Sequence, residues 1–130
     1  MIDKTFFDNR LLALKECVTL ASNEIMQIYN SDSFDQEEKS DGSPLTKADK
    51  KSNEVILNSL EKISKDISII SEETFSEDLI KSLDQTYWLV DPLDGTKEFI
   101  NKTGEFTVNI AMINNKKVIF GIVGAPVTGK

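Results

Sequence analysis

The chain has 130 residues, 39% hydrophobic and 28% charged, with a formal net charge of −7 and no histidine. This is the composition of one globular domain rather than a disordered tail, and the negative charge argues against nucleic acid polymers or anionic lipid as partners. The lack of histidine excludes Ser-His-Asp and Cys-His nucleophile schemes and any His-ligated zinc, and the single cysteine, Cys17, has no internal disulfide partner.

Asp3, Lys4 and Asp8 interrupt any apolar opening run, so no signal peptide is expected. No transmembrane segment is expected either, because no stretch approaches the roughly 18 apolar residues of a membrane span. The expectation is a soluble cytoplasmic protein. Leu11, Leu14, Val18, Ala21, Ile25 and Ile28 alternate spacings of three and four, which predicts an amphipathic helix over about residues 6–29. Cys17 lies within that pattern and reads as a core residue. Residues 31–43 are polar and acidic and end in Asp41-Gly42-Ser43-Pro44, a loop.

A second helix is predicted to start near Thr46, with Ala48, Val55, Ile56, Leu60 and Ile63 on its apolar face. Thr46 and Asp49 have the spacing of a capping box. Ile67, Ile69 and Ile70 predict a short buried strand ending at Ser71-Glu72-Glu73, and a polar turn or short helix follows over about 76–84. An apolar strand then runs into Asp91 and stops there. Phe106, Val108, Ile110 and Met112 predict one face of a further strand, Asn114-Asn115-Lys116-Lys117 a hairpin turn, and Val118 to Val123 the returning strand. The fold class is α+β, with two N-terminal helices on one face of a mainly antiparallel sheet. The sequence offers no helix to cover the other face after the last strand, so an abrupt end is expected there.

The most specific stretch is Asp91-Pro92-Leu93-Asp94-Gly95-Thr96. Magnesium takes oxygen ligands and keeps several waters, and Asp91 and Asp94 suit it. Pro92 fixes its own φ and restricts Asp91, so the turn is stiff. Leu93 offers a backbone carbonyl. Gly95 lets the backbone approach a ligand, and the amides of Gly95 and Thr96 at a helix start suit a phosphate oxygen. Glu72, at another predicted strand end, adds a carboxylate. Each part has a plainer reading as well. Asp-Gly is a common turn pair, Ser71-Glu72-Glu73 suits a solvated helix start, and Asp49 suits first-turn capping.

Taken together, these residues resemble the inositol monophosphatase superfamily of magnesium-dependent, lithium-sensitive phosphatases, whose signature is Asp-Pro-(Ile/Leu)-Asp-Gly-Thr. Within it the chain is similar to the CysQ-like 3′(2′),5′-bisphosphate nucleotidases, through Trp88 to Phe99, Gly104 to Ala111 and Ala125-Pro126-Val127. Lys97-Glu98-Phe99 carries the distinction from the inositol phosphatases. Ser43 to Asp49 and Ser71-Glu72-Glu73 match two further family motifs in order. The resemblance implies the N-terminal half of the family's layered α/β fold, as a single N-terminal metal- and phosphate-binding domain.

It also implies about two to three magnesium ions. Glu72, Asp91 and the Leu93 carbonyl would hold the first. Asp91 would bridge to a second, shared with Asp94, and Glu72 would help hold a third and order the attacking water. Thr96, linked to Asp49, would help deprotonate that water, and the Gly95 and Thr96 amides would receive the phosphate of a nucleotide bisphosphate substrate. The substrate pocket would thus comprise Glu72, Leu93, Asp94, Gly95 and Thr96. The family's second half, with a Trp-Asp ligand motif, has no match here, since Trp88 is the only tryptophan. A fragment with little activity alone is therefore expected, completed by a C-terminal half or by self-association. An inositol-phosphatase-like or broad sugar-phosphate phosphatase, and a non-catalytic interaction module, are the alternatives.

Overall fold

The computed structural model describes residues 4–31, 37–38, 44–72 and 86–128. Helix α1 spans Lys4–Tyr29 and buries Leu14, Cys17, Val18, Ala21, Ile25 and Ile28. Of the predicted stripe only Leu11 falls at the margin, 36% exposed. Helix α2 spans Lys47–Ile63 and is capped as predicted: the Asp49 amide donates to Thr46 Oγ1 at 3.4 Å, and the Thr46 amide donates to Asp49 Oδ2 at 2.9 Å. The predicted loop over 31–43 contains a two-residue strand, β1 (Glu37–Glu38), antiparallel to β2 (Pro44–Leu45). Two residues are too few to leave a periodic signal.

Strands β3 (Ser68–Ser71), β4 (Thr86–Asp94), β5 (Thr107–Asn114) and β6 (Lys117–Gly124) form one sheet in that order. β3 and β4 are parallel, and the other two pairs are antiparallel. The predicted element over 76–84 falls outside the described residues. Asn115 and Lys116 both have positive φ, 53° and 66°, the geometry a two-residue hairpin needs to match strand twist. A five-residue helix, α3 (Thr96–Ile100), lies between β4 and β5.

Period-two alternation divides the sheet. Trp88 and Val90 of β4 and Val108, Ile110 and Met112 of β5 are buried with the inner faces of α1 and α2. Trp88 Nε1 donates to Ser64 Oγ at 2.8 Å, so its one polar atom is satisfied in the core. The opposite face carries Leu89 and Val123, 40% and 61% exposed.

Burial pushes the Cys17 thiol up to about 11, against a smaller opposing effect from a hydrogen bond with Ser59. The folded state therefore favours the neutral thiol. That contribution to stability is complete below the ordinary value of 9.0 and is lost as pH rises from there towards about 11. Urea midpoints of wild type and Cys17→Ala, measured across this window, should converge as pH rises. Parallel curves would show that Cys17 does not contribute.

Candidate active site

β4 is a central strand, where proline removes a ladder hydrogen bond and is tolerated only at an irregularity. The chain supplies one. Asp91 pairs with Asn109 and Asp94 with Thr107, so three steps along β4 match two along β5. This is a bulge with one extra residue, placed at Pro92-Leu93. The strand predicted to stop at Asp91 thus runs on to Asp94. The bulge also decides where the carboxylates point. Cross-strand partners share a face, and Asn109 and Thr107, two apart, lie on the same one. Asp91 and Asp94, three apart, would alternate in a regular strand. The extra residue returns both to the face opposite the helices. The Leu93 side chain is buried in the core.

Glu72 arrives from β3. The parallel register sets Ser71 beside Val90, and the Glu72 amide donates to the Val90 carbonyl at 3.1 Å, so Glu72 lies next to Asp91. Glu72, Asp91 and Asn109 share a cleft of about 210 Å³ on the face away from the helices. A larger groove of about 420 Å³, between α1 and the end of β6, contains none of the predicted site residues. The carboxylate cleft is the better candidate because it holds the chemistry.

Gly95 turns the chain from β4 into α3 with φ +96°, and a Cβ there would lie 2.9 Å from the Glu105 carbonyl oxygen and 3.2 Å from Glu98 Oε2. Gly95→Ala combines a left-handed backbone with that clash, so it should lower stability by at least about 1–2 kcal/mol. Urea unfolding checks this, and an unchanged midpoint would refute it. The first amides of α3 have no acceptor within the helix. With only five residues, α3 has no sizeable dipole, and those N–H groups are what it could present to an anion.

Thr96 Oγ1 donates to Asp49 Oδ1 at 2.9 Å, as the resemblance implied. Asp49 Oδ2 accepts from the Thr46 amide at 2.9 Å and from Thr46 Oγ1 at 2.6 Å. Asp49 is 0% exposed, so both of its oxygens are engaged where an unpaired charge would be costly. Asp49 is thus a helix cap through Oδ2 and is tied to the start of α3 through Oδ1.

Among the described residues, no three acidic side chains converge into a preformed cage. Glu72, Asp91 and Asp94 share a face without closing on one point. Their donors, with the Leu93 carbonyl, are all hard oxygens. That set fits magnesium, which takes one or two carboxylates, keeps water and shares a substrate phosphate, and does not fit a soft metal.

Sequence reasoning passed over three polar residues at this site. Asn109 pairs with Asp91, and the alternation that put Val108 and Ile110 in the core already assigned Asn109 to the other face. Ser52 and Asn53 lie three and four residues after Asp49 in α2, on its buried side, where helical spacing from Asp49 would have found them.

A profile of the inositol monophosphatase family matches residues 8–130. The 3′(2′),5′-bisphosphate nucleotidase CysQ of Shigella flexneri is 48% identical over 108 residues, 82% of this chain and 44% of that protein. The crystal structure of CysQ from Bacteroides thetaiotaomicron, itself described as a bacterial member of the inositol monophosphatase family, matches with TM-score 0.76 and 35% identity. The match covers 95% of this chain and 45% of that one. An IMPase/NADP phosphatase solved with Mg2+ and phosphate shares the fold at TM-score 0.79 and 19% identity, over 98% of this chain and 47% of its own. The chain spans about half the length of the curated relatives it matches. With the family profile matched along almost its whole length and the fold in agreement, the chain belongs to the inositol monophosphatase family.

Proposed function

We propose that the chain is the metal- and phosphate-binding N-terminal half of a magnesium-dependent 3′(2′),5′-bisphosphate nucleotidase. Such an enzyme hydrolyses adenosine 3′,5′-bisphosphate to AMP and phosphate. The observation that carries this reading is the β4 bulge, which turns Asp91 and Asp94 to one face beside Glu72. The similarity to CysQ nucleotidases supports the substrate class. The hard-oxygen donor set supports magnesium, and a protein of the same fold solved with Mg2+ and phosphate agrees with it.

Glu72, Asp91, Asp94 and the Leu93 carbonyl would hold the ions. When bound, magnesium supplies positive charge to the transferring phosphoryl group and lowers the pKa of the attacking water. The amides of Gly95 and Thr96 bind phosphate oxygens. The Thr96 hydroxyl donates its hydrogen bond to Asp49 Oδ1, so its lone pairs are left to accept from the water. That water's proton passes through the hydroxyl to the Asp49 carboxylate as the new P–O bond forms; the ester P–O bond breaks with its electron pair on the leaving oxygen, which takes a proton from solvent water. No covalent enzyme intermediate is required. Lithium would inhibit by competing at a magnesium position. Among the described residues, no helix is long and apolar enough to cross a membrane, and a cytoplasmic site of action is part of the proposal.

The test is magnesium-dependent phosphate release by residues 1–130, alone and fused to the C-terminal remainder of the Shigella flexneri relative. Preference for adenosine 3′,5′-bisphosphate over inositol 1-phosphate supports the nucleotidase, and the reverse preference overturns it in favour of an inositol-phosphatase-like enzyme. The absence of both magnesium binding and turnover overturns both, and leaves a non-catalytic interaction module.

A further inference from the structure

α2 presents three polar side chains on its buried side. Asp49, Ser52 and Asn53 stand at i, i+3 and i+4, and all three are buried. Buried polar groups on an otherwise apolar helix face need partners. Each of these has one, in a different segment. Asp49 Oδ1 accepts from Thr96 at the start of α3 at 2.9 Å. Ser52 Oγ donates to the Pro92 carbonyl at 2.7 Å. Asn53 Oδ1 accepts from Ser71 Oγ at the end of β3.

The three segments reached are those that carry the candidate site. Pro92 lies inside the bulge, one residue after Asp91 and one before Leu93. Ser71 immediately precedes Glu72. We infer that Ser52 and Asn53 are positioning residues, which fix the bulge and the end of β3 from beneath so that Asp91, Asp94 and Glu72 are held in register for metal. This inference rests on the magnesium-dependent reading above.

The physical need is specific. The bulge interrupts the ladder of β4 at Pro92-Leu93, so the neighbouring strand does not secure the Pro92 carbonyl in the regular way. Ser52 takes its place with a hydroxyl from the layer behind. At the end of β3, the Glu72 amide is tied to Val90, while the Ser71 side chain is tied to Asn53. The carboxylate Glu72 therefore projects from a backbone pinned on both sides. Groups that orient metal ligands without touching the ion commonly change metal affinity by about 10–100-fold when removed.

The test compares Ser52→Ala and Ser71→Ala with Ile56→Val, a buried change on the same helix that removes no hydrogen-bonding group. Magnesium is titrated calorimetrically, and amide hydrogen exchange is followed over residues 91–96. Ser52→Ala and Ser71→Ala should each weaken magnesium binding about 10-fold. Ser52→Ala should also speed exchange over 91–96, and Ile56→Val should do neither. The inference is overturned if Ser52→Ala and Ser71→Ala match wild type in both readouts. It is equally overturned if all three variants weaken binding in step with their unfolding midpoints. Asp91→Asn, titrated alongside, separates the two failures. If it binds magnesium as wild type does, the metal reading itself falls. If it loses binding while Ser52→Ala does not, only the positioning role falls.

Discussion

Asp91→Asn is expected to lower magnesium-dependent phosphate release by about 10³-fold or more, because several kcal/mol of charge stabilisation depend on the metal it is proposed to hold. The substitution keeps the size of the side chain and removes its charge. Asp91 sits between Glu72 on the parallel side and Asn109 on the antiparallel side, so it is the centre of the candidate site. Asparagine keeps the backbone pairing with Asn109, so the unfolding midpoint should fall far less than the rate. Rates and urea midpoints, measured on the fusion protein described above, separate these effects. A rate loss matched by a collapse of stability would refute the reading, as would no loss.

Thr96→Val should produce the second-largest effect. Valine keeps the branched shape and removes the hydroxyl that joins the site to Asp49. Loss of a general-base relay typically costs about 10²–10⁴ in kcat. KM should change little, because the Gly95 and Thr96 amides proposed to bind phosphate remain. Asp49 Oδ1 would lose its donor in a buried setting, which should cost about 1–3 kcal/mol of stability. Thr96→Ser should restore both. Steady-state kinetics with parallel unfolding curves provide the check, and a rise in KM at constant kcat would mean that Thr96 only binds substrate.

Much of the fold was legible because its signals are local. The α1 stripe, the Thr46-Asp49 capping box and the Asn115-Lys116 hairpin each depend on residues a few positions apart. The run of Asp91 to Thr96 pointed to the family in the same way. What stayed hidden is non-local. Nothing in Ile67 to Ser71 states that β3 pairs parallel to β4, because a short apolar run looks the same in either direction. The bulge could not be read either. Asp91-Pro92-Leu93-Asp94 looked like a turn ending a strand, since proline ordinarily interrupts a ladder. Only the pairing with Asn109 and Thr107 shows that the strand continues with one residue to spare. Asp49 was legible as a cap, and its second bond, to a residue 47 positions away, became visible only in three dimensions.

The central claim is that Asp91, Asp94 and Glu72 form a magnesium site for a phosphate held at Gly95 and Thr96. Calorimetric titration of magnesium into the chain, with and without inorganic phosphate, tests it most directly. The account predicts saturable binding that phosphate tightens and that Asp91→Asn abolishes. Superimposable titrations for wild type and Asp91→Asn, with no effect of phosphate, would contradict it.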